Sequence, residues 1–415
     1  MKTIDGYDVK IFTDNIEESA TEQIRQLVSI DVFADKKIRI MPDVHAGAGC
    51  VIGFTGNLGD KVIPNIVGVD IGCGIRVLKF RLDGDIDFHA FNNHVLDNVP
   101  SGRDIREMTS LQSIDDAMDI YREAKELVSG LRCYRELKEQ KRLFKAIGTL
   151  GGGNHFIELD RDDDGYTYLV IHTGSRNLGK QVAEIYQKQA VKHLSGWDEI
   201  MEEQTRIIAE YKAAGRRNEL QKVIAELHNS FRMRKPPMPQ DLCYIEGQAR
   251  EDYLHDMRLC QKWAVLNRRL IAMLLMRFFA DTEVLEEFES IHNYIGDDNI
   301  IRKGSISAYE GERCIIPLNM RDGSLICTGK GNEDWNCSAP HGAGRVLSRS
   351  EAYGQITMEE FTAAMAGIYS ESINDFTRDE SPMVYKPAKE IIENIGPTVN
   401  IDTIIRPIFN FKASK

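Results

Sequence analysis

The 415-residue chain has no apolar run long enough to enter a membrane. Its longest stretches, such as Leu270 to Met276, fall far short of the roughly 20 residues that a bilayer requires. The N-terminal MKTIDGYDVKIFTDN interleaves charged and apolar residues and carries no basic start followed by an apolar block, so a secretory signal is not expected and the expected location is cytoplasmic. Cysteine is scarce, eight in all, and no two form a Cys-x-x-Cys pair. That excludes a disulfide scaffold or a zinc ribbon and suits a reducing compartment. Basic charge is in deficit, 52 Lys and Arg against 64 Asp and Glu, for a net charge of −12. A general nucleic-acid coat is thereby excluded, and any nucleic-acid contact must come from a local cluster of Lys and Arg. Repeats, low-complexity tracts and Gly/Ser- or Pro-rich linkers are also missing, so one interwoven domain over 1–415 is expected rather than beads on a string.

What is present is the composition of an ordinary soluble globular protein, 42% hydrophobic and 28% charged. From Lys37 to Phe80, short β-branched runs (IRI, VIGF, VIPNIVGVD, IRVLKF) alternate with glycines and read as strands joined by tight loops. Asp115 to Leu143 has helical spacing, strands return at FKAIGTLGGGNHFIEL and YTYLVIHTGS, and helices dominate from about Leu178 to Phe279. Within that helical segment RKPPMPQD must break the pattern, because paired prolines forbid a helix interior, and Glu203 to Asn229 reads as a solvated helical pair. Short strands and glycine turns resume from Ile291 to Arg345, followed by a helix around Thr357 to Ile373. This order fits α/β or α+β.

Of the ten histidines, His45, His155, His172, His292 and His341 lie in Gly-, Asn- or Asp-bearing turns, while His193, His228 and His255 sit on helical stretches without such company. The segment VGVDIGCGIR adds Asp70 and Cys73, three apart on a turn with glycine on both sides of the sulfur. Thiolate, imidazole and carboxylate together are the ligand set of a borderline divalent transition metal; the alternative is a free buried Cys beside a capping Asp. Ligands scattered from residue 70 to 292 cannot form a local finger, and scattered ligands brought together by strands and loops are typical of catalytic centres.

SAPHGAGR places His341 before consecutive small residues and Arg345, where backbone N–H groups and a guanidinium suit a phosphate. His341 is placed either to bind that phosphate or to attack it as a nucleophile. GSLICTGKG fails the P-loop spacing, and neither a dinucleotide-binding glycine pattern nor His-Glu-x-x-His occurs. Arg76, Arg176, Arg302, Lys303, Lys330, Arg345 and Arg349 flank these motifs and would bind a polyphosphate or a short RNA end if they shared one face.

With these residues in view, the chain resembles the RtcB family of RNA-splicing ligases. The blocks MPDVHAGAG, VGVDIGCG, GTLGGGNHFIE, VIHTGSRNLG, YLHDMRLCQKWAVLNRR, IHNYI, RKGS, HGAGRVLSR and a C-terminal YK followed by Lys412 stand in the family's order, from about residue 41 to 412. The resemblance implies an α+β, single RtcB-like domain with mixed or antiparallel sheets flanked by helices. It implies a ligase dependent on GTP and two Mn²⁺ ions that joins an RNA 3′-phosphate or 2′,3′-cyclic phosphate end to a 5′-hydroxyl end. A manganese-dependent phosphoesterase or cyclic-phosphate hydrolase, or an RNA-end repair paralogue, on the same scaffold is the alternative, and a non-catalytic RNA-end binding or repair module a third. RNA ends and GTP would be its partners, with an activating protein left open and no membrane. By the same resemblance Cys73 bridges the two ions, Asp70 and His155 complete one site, and His172 and His292 the other. His341 takes GMP; Asn154, Phe156, Glu158, Gly342, Ala343, Gly344, Arg345, Tyr385 and Lys412 contact the nucleotide; Asp43 is associated with the RNA-end step. The chain departs from the family at PLNMR, where many members carry a Gly-Ser-Met-Gly-type turn, and at Ala48 in the first block.

Overall fold

A computed structural model describes residues 1–82, 84–112, 114–232, 234–280 and 282–413. Its architecture is α+β, two large sheets joined by helices. In the first sheet the order is Lys2–Thr3, Val9–Ile11, Ile38–His45, Ile52–Asn57, Ile300–Lys303 and Asn293–Ile295; Val9–Ile11 runs parallel to Ile38–His45 and the other pairings are antiparallel, which makes it mixed. The second is antiparallel throughout, in the order Val284–Ile291, Gly74–Phe80, Thr167–Thr173, Phe156–Arg161, Val399–Lys412, Gly323–Gly329 and Arg313–Asn319.

Antiparallel pairing decides where the chemistry sits, because alternate strands begin and end at the same rim. Gly74 pairs with both Thr173 and Ile291, and Phe156 pairs with both His172 and Lys412. Cys73 therefore lies just before one strand, His155 just before another, His292 just after a third, and His172 one residue from the end of a fourth. Residues 73, 155, 172 and 292 are brought to one edge without any local sequence signal.

The helix Gly247–Met276 runs along this sheet and turns Trp263, Leu266, Leu270 and Leu274 into the main core, with Ile271 and Leu275 in a second cluster. Helices fill the expected segment as Arg176–Leu194, Trp197–Ala213, Leu220–Arg232 and Gly247–Met276, and residues 234–239 are non-helical as the prolines require. No helix of the described residues is long and apolar enough to cross a membrane. All eight cysteines are free thiols, seven of them buried.

Three local expectations are corrected. VIPNIVGVD is not a strand: Pro64 opens the short helix Pro64–Val67, its fixed φ being suited to a first turn. In FKAIGTLGGGNHFIEL the strand is confined to Phe156–Arg161, apart from one bridge between Gly151 and Ser101, since the preceding glycines turn left-handed; at Gly151 (φ +84°) an added Cβ would fall 1.7 Å from the Arg176 guanidinium. The helix expected to reach Ile373 stops at Ala364, with Gly367 at φ +92° beyond it.

Candidate metal centre and nucleotide cavity

Two triads of donor atoms share the Cys73 sulfur: Asp70, Cys73 and His155, and Cys73, His172 and His292. Within each, the atoms lie inside 4.8 Å of one another. Cys73 Sγ is 3.5 Å from His155 Nε2 and 3.3 Å from His172 Nε2; His155 Nε2 is 2.9 Å from Asp70 Oδ2, and His172 Nε2 is 3.3 Å from His292 Nε2. The imidazoles are aimed by the backbone. His155 Nδ1 donates to the Leu150 carbonyl at 2.9 Å and His172 Nδ1 to that of Asn154 at 3.2 Å, so each ring turns its Nε2 toward the sulfur. Burial, reinforced by neighbouring imidazoles, holds His172 and His292 well below the ordinary histidine range, and the rings stay neutral. The Cys73 thiol is pushed well up by burial and then by the Asp70 charge. Burial would raise Asp70 too, but its hydrogen bond to His155 and the Arg176 charge hold it below the usual carboxylate range. Asp70 Oδ1 is buried with no hydrogen-bond partner. Imidazole nitrogens, a thiol and a carboxylate within 4.8 Å of one another, the carboxylate keeping one oxygen without a partner, fit a bound cation, whose charge would favour the thiolate.

These loops are tied together from beneath by the middle of the long helix. Arg268, with no exposed side-chain surface, donates from Nη1 to the carbonyls of Gly72 (2.9 Å) and Thr173 (2.8 Å) and pairs with Glu289 at 3.0 Å. Beside it Asn267 Oδ1 accepts from Gly148 N and Thr149 N, and its Nδ2 donates to the carbonyls of Thr149 and Gly174. The loops before Cys73, before His155 and after His172 are thus held on two adjacent side chains. Arg176 stands next to them at φ +58°, its Nη1 3.4 Å from His155 Nδ1 and its Nε buried with no partner.

His341 faces the same centre, its ring centroid 4.8 Å from that of His292. Its Nδ1 donates to Asp43 Oδ2 at 2.7 Å, and its backbone N–H reaches the same oxygen at 3.2 Å. Asp43, associated above with the RNA-end step, is fully buried and bonded directly to His341. This contact fixes the tautomer with Nε2 unprotonated.

A cavity of about 360 Å³ opens over both features. Asp70, Cys73, His172, His292 and His341 line it, as do Asn154, Phe156, Glu158, Gly342, Ala343, Gly344, Arg345, Tyr385 and Lys412, while His155 lies behind Asp70 and Cys73. Pro317, Leu318, Asn319 and Met320, from the stretch where the chain departs from the family, also form part of the wall. Burial pushes Glu158 up to about 7, against the opposing pull of Asn410, which donates to it at 2.6 Å, and of Lys412. On the far wall the buried Glu380 gathers Lys412 (3.3 Å), Arg345 (3.2 Å), Arg349 (3.4 Å) and the Tyr385 hydroxyl (2.7 Å). Three cations on one carboxylate leave a rim suited to a polyanion.

The other basic residues do not share this face. Arg302 is locked inside on Asp298, Lys303 donates to the carbonyls of Ala48 and Asn65, Arg76 pairs with Glu287 and Glu289, and Lys330 donates to Gly396 O. The sequence reading missed Asn267, Arg268 and Glu380. The first two carried one signal, an adjacent amide and guanidinium interrupting an otherwise apolar helix stripe.

The family model described as tRNA-splicing ligase RtcB matches residues 23–413. The chain is 28% identical to the RNA-splicing ligase RtcB of Escherichia coli strain K12 over 438 residues, covering 98% of this chain and 97% of that protein. It is 26% identical to the tRNA-splicing ligase RtcB of Aeropyrum pernix, covering 89% and 86%, and 26% identical to that of Nanoarchaeum equitans, covering 86% and 83%.

Proposed function

Because the chain belongs to the RtcB family, we propose that it is a cytoplasmic RNA ligase, dependent on GTP and two Mn²⁺ ions, that joins a 3′-phosphate or 2′,3′-cyclic phosphate end to a 5′-hydroxyl end through a His341–GMP intermediate. One observation carries this reading: two donor triads sharing a sulfur stand beside a histidine whose reactive nitrogen is freed by an aspartate. Asp70, Cys73 and His155 would hold one ion, and Cys73, His172 and His292 the other. Nitrogen and sulfur donors favour a transition metal over Mg²⁺, and manganese among these follows from the family resemblance. Bound there, the ions supply charge neutralisation and Lewis acidity to phosphate oxygens.

The chain's own residues do the rest. Glu158, once ionised, accepts the N–H donors of a guanine edge against Phe156, and the cations around Glu380 face the triphosphate. His341 Nε2 attacks the α-phosphorus; an N–P bond forms, the α–β anhydride breaks, and pyrophosphate leaves. Asp43 balances the charge that develops on the imidazole. An oxygen of the RNA 3′-phosphate then displaces His341 to give an RNA–GMP anhydride, and the 5′-hydroxyl attacks the 3′-phosphorus and releases GMP. A cyclic phosphate must first be opened by water to a 3′-phosphate.

Incubation with α-labelled GTP and Mn²⁺ tests the reading. The expected result is label on the protein that survives denaturation and base, is lost in acid, and is absent from His341→Ala. Wild type that takes no label while hydrolysing cyclic phosphates would instead support the phosphoesterase.

A further inference from the structure

Beside the catalytic cavity lies a second, smaller cleft of about 140 Å³, sharing Arg349 and Glu380 with it as a common wall. Its outer wall is aromatic. Phe376 leaves 67% of its surface open to solvent and Tyr353 41%. The exposure of Phe376 is built in. In Asp375–Glu380, capped by Asn374, the residues Thr377, Asp379 and Glu380 turn inward, which leaves Phe376 pointing out. The Tyr353 hydroxyl lies 3.2 Å from the Phe376 carbonyl and 3.0 Å from Asp379 Oδ1, so the two aromatic residues are tied to one frame. Arg349 is pinned across that frame to Asp379 at 2.8 Å. Among the described residues the Phe376 ring stacks on no other aromatic ring and belongs to no buried cluster.

Gly153 also lines the cleft, next to Arg349, two residues before His155 and adjacent to Asn154 of the cavity wall. A strand whose 3′-phosphate reached the metal centre would have this cleft as a neighbouring place for its terminal base. The volume admits a single planar ring system and is too small for a helix or a peptide strand. Exposed aromatic faces beside a fixed guanidinium are the elements with which proteins hold unpaired bases without reading their sequence. We infer that Phe376 and Tyr353 form a stacking platform for the terminal, unpaired nucleobase of the RNA strand that presents its 3′-phosphate. The inference rests on the ligase reading for the identity of the strand; the cleft, its open Phe376 ring and the Tyr353 ring, which has the Arg378 guanidinium 5.5 Å from its centroid, stand independently of it. Arg349 serves both chambers, holding its carboxylates on one side and facing the nucleotide-to-phosphate link on the other.

The test separates the platform from the ligase reading by measuring binding without catalysis. An oligonucleotide ending in 2-aminopurine 3′-phosphate is titrated with the full chain and Mn²⁺ in the absence of GTP. Wild type should quench the terminal base, Phe376→Ala should lose the quenching and bind about tenfold more weakly, and Phe376→Trp should restore both. Labelling of His341 by α-labelled GTP should be the same in all three, and the KM for RNA ends should rise in Phe376→Ala with kcat preserved. Undiminished quenching and affinity in Phe376→Ala would overturn the platform. Quenching by a wild type that takes no label would leave the platform standing and remove the ligase.

Discussion

Replacing Cys73 by alanine is expected to empty both cation sites at once. The sulfur is the donor common to the two triads, so its loss leaves Asp70 with His155 and, separately, His172 with His292. Two ligands each are too few for a divalent ion to displace its water against buried, neutral imidazoles. Loss of an outer partner that only orients a ligand costs about 10- to 100-fold in metal affinity, so removal of a shared donor should exceed the upper end of that range. Asp70→Ala and His292→Ala should each spare one ion. Metal content after dialysis, by mass spectrometry, reads the difference as zero, one and one against two for wild type. Ligation should be undetectable in Cys73→Ala. Folding should survive, because an alanine fits where a buried thiol was and the clamp of Asn267 and Arg268 is untouched.

The second large effect belongs to Asp43, whose carboxylate is hydrogen-bonded to His341. With Nδ1 donating to Asp43 at 2.7 Å, the lone pair must stay on Nε2. An asparagine of the same shape can present its amide N–H to Nδ1 instead, moving the imidazole proton to Nε2 and removing the nucleophile. Where an aspartate fixes the tautomer of a catalytic histidine in Ser-His-Asp hydrolases, the same substitution costs about 10⁴ in rate. Asp43→Asn is accordingly expected to slow formation of the protein–GMP adduct by about 10³ to 10⁴, and His341→Ala to abolish it. Metal content should be unchanged in both, since neither residue belongs to a triad. A purely structural role for Asp43 would instead lower metal content and thermal stability together with labelling.

The α+β class and the residues that gather as donors were legible in the sequence; several local chain paths around them were not. Loop histidines flanked by Gly, Asn and Asp stand out because strand ends and turns need those small or self-capping neighbours, and Asp70, Cys73, His155, His172 and His292 carried that signature. Their meeting did not follow from spacing; it depends on the antiparallel pairing of strands up to some two hundred residues apart, which only the family resemblance anticipated. Local errors arose where one residue overruled a pattern. The β-branched VIPNIVGVD is helical at its centre because of Pro64, and the strand ahead of Phe156 dissolves into left-handed glycine turns. Arg268 escaped notice because helical periodicity marks a stripe as core and does not say that a guanidinium within it will cap two carbonyls of ligand loops. Glu380 lies in TRDESPMV, which has no periodicity to mark it, and its importance appears only when Arg345, Arg349 and Lys412 gather on it.

Diffraction from crystals grown with Mn²⁺, collected on both sides of the manganese absorption edge, tests the central claim most directly. Two anomalous peaks are predicted, both within bonding distance of Cys73 Sγ, one toward Asp70 and His155 and the other toward His172 and His292. A Cys73 thiol with no peak beside it, while manganese occupies some other part of the molecule, would contradict the account.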